Sequence, residues 1–553
     1  MTKVAKVTTI ALWILLSLSI PSYGDMQDYC ATPPFISQVV APNILIVIDV
    51  SGSMQFPAYG PCDFDGYINQ VAQCGDSSVT YDSSREYYGY FKTDKYYEYE
   101  SNKFVENENC DTIGENCIPG NLLNWATMSR IDVLRKVLIG GKSLSQQQNT
   151  HTLRGEGGNW SFIDENLHCI FSITGGSYPN LDHKLSIEDY NGNCVLGTLT
   201  EANIKVDVPE LERRGVVQNL ADKDYDGQWD PDSPRFGLMV YASNNRYGCM
   251  RAGIGTSDMS SFINALQSEA PYWGTPTGEA LENALDYFEQ DSFTYNCPGN
   301  EAYIGGPGSS KDPWQHWCQK SFVLLISDGE WNGDVDPVRP AREGRLGIHG
   351  GRDHDLRDDL DNAQVVTTYT VYAFSDSAEG RNSLQQTAIY GAFDDLCPPD
   401  SGNDWPYPYT DYPYWDRDDN DPYGSRDISL LNPQCDPNGT YNSCCREWDE
   451  DGDGYPDNYY EAEEGEELEN KITEAIYDIL KKISSGTAVS VLSQEAESGA
   501  NLIQAVFYPQ RTFMQETDVY TLNWIGQLYN WWIYRGLEVA KTNIREDHPG
   551  EDK

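Results

Sequence analysis

Pro42-Asn43-Ile44-Leu45-Ile46-Val47-Ile48-Asp49-Val50-Ser51-Gly52-Ser53-Met54 is the stretch on which the fold of this chain turns. An aliphatic run from Ile44 to Ile48 is bounded by Pro-Asn before it and Ser-Gly after it, which predicts a buried strand. Apolar on both faces, it reads as a central strand of a parallel sheet. Ligands of such sheets bind outside the carboxyl ends of the strands. Asp49, Ser51 and Ser53 stand at that end. One carboxylate and two hydroxyls are hard oxygen donors, suited to Mg²⁺ or a similar ion that keeps open positions.

Two later stretches have the same character. Gly274-Thr275-Pro276-Thr277-Gly278-Glu279-Ala280-Leu281 leads into a helical pattern, and Phe322-Val323-Leu324-Leu325-Ile326-Ser327-Asp328-Gly329 is a second buried strand ending on an acid. Asp-x-Ser-x-Ser followed by this threonine and this aspartate resembles the metal-ion-dependent adhesion site of von Willebrand factor A domains. The resemblance implies an α/β fold with a doubly wound, mostly parallel sheet. It also implies Mg²⁺ (or Mn²⁺) held by Asp49, Ser51, Ser53, Thr275 and Asp328, with an acidic group of a ligand completing the shell.

The first residues read as a signal peptide over 1–24. Lys3 and Lys6 precede an apolar run from Thr8 to Ile20, and Ser22-Tyr23-Gly24 offers small residues for cleavage. No later segment is apolar for the ~18 residues a membrane span needs, so no span is expected after cleavage. All 14 cysteines lie beyond residue 24. An even number in an exported chain predicts disulfides. Cys62/Cys74, Cys110/Cys117 and Cys297/Cys318 are candidate local loops, and the pairing stays open. The net charge of −48 argues against nucleic-acid binding, which needs a basic footprint.

Between the motifs lie three expected insertions, at about 55–120, 143–234 and 395–460. The first carries four cysteines and a tyrosine run from Tyr81 to Tyr99, either a partner surface or a small core of its own. Asn124 to Ile139 has helical periodicity. The second insertion ends in Asp222-Lys223-Asp224-Tyr225-Asp226-Gly227-Gln228-Trp229-Asp230. Three acids at alternate positions followed by Gly form the front half of an EF-hand-type Ca²⁺ loop. Asp222, Asp224, Asp226, Gln228 and Asp230 are its candidate ligands. The third insertion repeats the spacing with Asp449, Asp451, Asp453, Tyr455 and Asp457 as candidates for a second Ca²⁺. Residues 329–362, with His349, Asp353, His354 and Asp355, read as a solvated loop; histidines with acids could bind zinc, but two at this spacing are a weak signal. Glu466 to Ile483 predicts the last helix of an A-type domain spanning 40–486, and strands follow over 487–545 before a polar tail at 546–553.

A secreted A-type domain with cysteine-rich insertions, then Trp524-x-Gly526-x-Leu528, resembles the N-terminal half of PilY-type proteins. These are adhesins and assembly factors at the tips of type IV pili. The Pro42-Asn43 lead-in and the Leu384 to Gly391 segment add to the likeness, which covers roughly 40–530. The resemblance implies a cell-surface or pilus-tip location and minor pilins, or a surface ligand with an acidic group, as partners. In the family a β-propeller follows the Trp-x-Gly-x-Leu strand. Only about 25 residues remain here, so the propeller is expected to be absent. An enzyme is not expected: no His-Glu-x-x-His and no Gly-x-Ser-x-Gly is present. The alternatives are a calcium-stiffened structural surface protein and, behind it, a secreted hydrolase.

Overall fold

The computed structural model describes residues 40–55, 82–110, 117–156, 204–241, 247–393 and 455–484 apart from one or two positions at a time, with short pieces at 58–59, 67–68, 71–72, 160–164 and 169–173 and strands between 489 and 534. The signal-peptide reading, Cys62/Cys74 and nearly all of 395–460 fall outside the described residues. The chain divides into two compact units. One is Ala41–Gln315 with Gln319–Leu480, the other Met1–Val40, His316–Cys318 and Lys481–Lys553.

The first unit is built on a six-stranded sheet. Its order is Gly248–Ala252, Arg235–Tyr241, Asn43–Ile48, Ser321–Ser327, Val366–Ala373 and Tyr459–Ala462. Four of its five pairings are parallel, and Gly248–Ala252 runs antiparallel at one edge. Asn43–Ile48 lies inside, with Ile48 paired to Val240 on one side and Ile326 on the other. Ile44 to Ile48 are fully buried, as their two-sided apolarity predicts. The helix Thr277–Glu289 packs on the strands of the antiparallel side, and Val338–Leu346 and Ala378–Ala392 pack on Val366–Ala373. The result is an α/β chain whose sheets are mixed.

Several expectations are corrected in detail. The single helix read over 124–139 is two helices, Gly120–Thr127 and Arg130–Ile139. Ser129 separates them because it closes a capping box with Asp132, satisfying the orphan amides of the second helix. Strands of both of the first two insertions join in a six-stranded sheet, ordered Ile118–Pro119, Tyr96–Glu100, Lys103–Glu106, Lys205–Pro209, Thr150–Arg154 and Ser143–Gln147, and others in a four-stranded sheet, ordered Cys169–Ile173, Trp160–Asp164, Val71–Ala72 and Tyr67–Ile68. Tyr87, Tyr90 and Tyr97 are buried, so these tyrosines pack a core. Cys110–Cys117 is a disulfide, but Cys297 pairs with Cys249 rather than Cys318. That bond ties the antiparallel edge strand to the loop after the helix Thr277–Glu289. In the second unit, Gly499–Gln515 and Asp518–Tyr534 form one long antiparallel hairpin, with Gly526 opposite Phe507.

Residues 329–362 depart furthest from the solvated loop expected of them. They contain the helix Val338–Leu346 and a buried His349. Composition misleads here because the polar groups are paired inside. His349 Nε2 lies 3.2 Å from Asp286 Oδ1 and Nδ1 2.9 Å from Glu343 Oε2. Glu289 and Arg352 form an ion pair beside them, 3.1 Å apart. Burial pulls the imidazole down, but the two carboxylate hydrogen bonds outweigh it and bring His349 up to about 9. A histidine raised on folding adds stability that is full below its unfolded value near 6.5 and is lost as pH rises through about 9. Glu289, pushed up to about 7 chiefly by burial, has the same sign. Chelator-treated protein should therefore lose ~2–3 kcal/mol of stability between pH 6.5 and 9.5. His349→Gln should remove most of that slope in urea titrations, and an unchanged slope would refute the assignment.

Candidate metal centre

The sheet topology brings the ends of two adjacent parallel strands together. Asp49 leaves Asn43–Ile48 while its amide still donates to Ile326 O at 2.9 Å. The short helix Gly52–Gln55 then turns the chain so that Ser51 and Ser53 face the neighbouring strand end. Ser51 N donates to Asp49 Oδ1 at 2.7 Å, and the Ser51 and Ser53 hydroxyls are 2.8 Å apart. Ser53 Oγ donates to Asp328 Oδ1 at 2.9 Å. Four of the five sequence-predicted residues, Asp49, Ser51, Ser53 and Asp328, thus form one buried hydrogen-bonded chain.

Thr275, also buried, is fixed through its backbone. Its amide donates to Asn332 Oδ1 at 2.8 Å, and Asn332 N donates to Thr275 O at 3.1 Å. The loops after residues 274 and 328 are thereby zipped together. Gly329 permits the turn between them. Its φ is 124°, and a Cβ there would stand 2.6 Å from the Tyr372 ring and 2.9 Å from Gly380 Cα.

Three participants were not singled out in the sequence. Ser327 Oγ donates to Asp49 Oδ2 at 2.7 Å. Arg130 Nη1 donates to Asp328 Oδ2 at 2.7 Å in an ion pair buried on both sides. Tyr241 OH lies 3.0 Å from Thr277 Oγ1. Ser327 was visible as the residue before Asp328. Arg130 carried no local signal, since only the tertiary fold lays the start of its helix across the sheet end.

Burial, and then the Asp328 charge, push the Asp49 carboxyl up to about 7, against hydrogen bonds from Ser51 and Ser327 that lower it. Two buried carboxylates with hydroxyls between them are a donor set that hard divalent cations satisfy. Arg130 meets Asp328 Oδ2 from one side.

The first acidic loop is also assembled. Carboxylate oxygens of Asp222, Asp224 and Asp226 lie within 4.8 Å of one another. Asp222 is buried; Asp224 and Asp226 are exposed. Asp222 Oδ1 accepts from Asp226 N at 2.9 Å, Asp226 Oδ1 accepts from Gln228 N at 2.8 Å, and Asp230 Oδ2 accepts from Lys223 N at 2.8 Å. Tyr225 and Gly227 take left-handed φ values of 65° and 77° to close the turn. Arg214 pairs with Asp222 Oδ2 at 2.9 Å. In the second acidic loop, Asp449, Asp451 and Asp453 lie outside the described residues; Tyr455 is exposed and Asp457 is half-buried.

These features define an α/β protein with an acidic, hydroxyl-lined site at a parallel sheet end. Over residues 78–212 the chain matches the family described as PilY1 homolog, small alpha/beta domain. That range contains the whole first helix pair and all the strands of the second six-stranded sheet. No curated protein matches the chain. Among solved structures it is similar to proximal thread matrix protein 1 from the mussel byssus, at 14% identity and a TM-score of 0.19, over 31% of this chain and 33% of that one. The same mussel protein with a zinc occupied MIDAS motif gives 15% identity and a TM-score of 0.17, over 29% and 31%. The chain thus aligns with about a third of that protein's length, and nothing about fold or site rests on so low a score.

Proposed function

We propose that this protein is a metal-dependent adhesion protein of the cell surface, a type IV pilus tip component or pilus assembly factor. The observation that carries the reading is the buried Asp49–Ser51–Ser53–Asp328 chain at the sheet end. The match to the PilY1 homolog domain over 78–212 supports its pilus setting. On this reading the central unit is an A-type, doubly wound domain. Mg²⁺ or Mn²⁺ is held by Asp49, Ser51, Ser53 and Asp328, with Thr275 beside them. The bound ion offers a Lewis-acidic position to a carboxylate from a minor pilin or a surface ligand. Asp222, Asp224 and Asp226 hold Ca²⁺ and stiffen the loop before the strand Arg235–Tyr241. The protein is exported and is not an enzyme.

One observation favours a second reading, a structural surface protein without ligand binding. The buried Arg130–Asp328 pair already supplies a cation at this centre. The deciding experiment is an immunoblot of pili sheared from the native cells, with periplasmic and medium fractions alongside, in parent and Asp328→Ala strains. The proposal expects the protein to shed with pili and vanish from that fraction in a pilin-null strain, with adhesion lost in Asp328→Ala while pili persist. A protein found in the medium whether or not pili are made removes the pilus reading. Full adhesion in Asp328→Ala leaves the structural reading.

A further inference from the structure

A second cluster of ligand-bearing side chains lies in the same unit as the Asp49 centre and shares no residue with it. Asp286 and Glu289 lie three positions apart in the helix Thr277–Glu289, a spacing that puts both on one face. His349, from the turn after Val338–Leu346, meets that face. All three are buried, and one ligand atom from each lies within 4.8 Å of the others.

The histidine is oriented from behind. Its Nδ1 is 2.9 Å from Glu343 Oε2, which leaves Nε2 directed at Asp286 Oδ1, 3.2 Å away. A carboxylate on one ring nitrogen with the other turned to the ion is how metal-bound histidines are held. The 3.2 Å separation is close to the ~3.3 Å edge of a tetrahedron with zinc bonds of ~2.0–2.1 Å. Glu289 is 5% exposed, yet its Oε1 accepts no hydrogen bond. Arg352 Nε faces that oxygen at 3.1 Å in an ion pair.

The charges point the same way. Asp286, Glu289 and Glu343 gather three carboxyl groups around one imidazole and one guanidinium, an acidic surround for a cation. A divalent ion would take the place of the Nε2 proton. That exchange releases one proton and needs no other reactant.

We propose that Asp286, Glu289 and His349 form a zinc-class divalent-cation site, with Glu343 positioning the imidazole. The nitrogen donor separates it from the all-oxygen Asp49 centre and the aspartate loop, which suit Mg²⁺ and Ca²⁺. The ion ties the far end of the helix that starts beside Thr275 to the turn at His349. The inference does not depend on the adhesion reading.

The test titrates Zn²⁺ into the full chain, chelator-stripped and then saturated with Mg²⁺ and Ca²⁺, against a chromogenic competitor, with bound zinc counted by elemental analysis. The parent protein should hold one tight equivalent that His349→Gln lacks. Glu343→Gln should hold it about 10–100-fold more weakly, and Asp49→Asn should hold it as the parent does. Co²⁺ in the parent should give visible absorption that His349→Gln loses. Absence of tight zinc in the parent, or its retention in His349→Gln, overturns the proposal and leaves His349 a protonated clamp. Where circular dichroism shows His349→Gln unfolded, Glu343→Gln decides, and an unchanged zinc affinity there overturns the proposal equally.

Discussion

Asp49→Asn is expected to abolish Mg²⁺ binding at the sheet end while leaving the metal-free protein at least as stable as the parent at pH 8. The carboxylate is fully buried beside Asp328, and burial and that like charge push it up to about 7 from 3.8. An acid raised on folding contributes stability that is present below its unfolded value and is lost as pH rises through the folded one. Above pH 7, ionised Asp49 therefore burdens the metal-free fold by up to ~4 kcal/mol. Asparagine keeps the acceptor for Ser51 N and gives Ser327 Oγ a donor in place of an acceptor. It carries no charge to desolvate and none to bind an ion. The expected pair of results is no Mg²⁺ heat in calorimetry and a higher urea midpoint than the metal-free parent at pH 8, converging near pH 4. An unchanged Mg²⁺ isotherm would sink the metal assignment. A large loss of metal-free stability would mean that the carboxylate is held there for packing instead.

Arg357→Ala is expected to cost ~3–5 kcal/mol, because it strands a buried carboxylate. Arg357 is 1% exposed. Its guanidinium meets Asp312 through two parallel bonds of 2.7 Å and reaches Asp359 at 2.7 Å. It also lies 5.7 Å from the Trp314 ring centroid. Asp312 in turn accepts from Gly308 N and Trp314 N, so it organises the loop ahead of the strand Ser321–Ser327. Removing the arginine alone leaves Asp312 charged and dry. Adding Asp312→Asn to Arg357→Ala should recover part of the loss, since it removes the stranded charge while the amide oxygen still accepts one of the two backbone donors. Chemical denaturation of both variants and of Asp312→Asn closes the cycle. A single-variant loss under ~1 kcal/mol would show that water reaches the pair and that it behaves as a surface bridge.

Much of the central unit was legible in residue order. The Ile44–Ile48 run is a fully buried inner strand because apolarity on both faces leaves it no other place. Arg235–Tyr241, Ser321–Ser327 and Val366–Ala373 follow the same logic. The acids and hydroxyls after two such strands were readable as a centre because parallel neighbours end on the same side. The alternate acids at 222–226 announced their own loop, since that spacing and Gly227 are local properties.

Long-range pairing was not legible. Periodicity ran straight through Thr127 to Arg130, where the Ser129 capping box divides the helix. Cysteine spacing pointed Cys297 at a near neighbour, whereas the fold carries Cys249 to it from 48 residues away. Residues 329–362 are polar in composition, and composition cannot distinguish a solvated acid from one held by a buried arginine or histidine. Residue order alone was enough for the strands, their inner positions and the chemical type of the ends. That Arg130 reaches Asp328, that Ser327 reaches Asp49 and that His349 stands between Asp286 and Glu343 came from the folded chain. Those partners come from helices and turns whose neighbours are set by packing over long separations, and packing leaves no trace in local residue order.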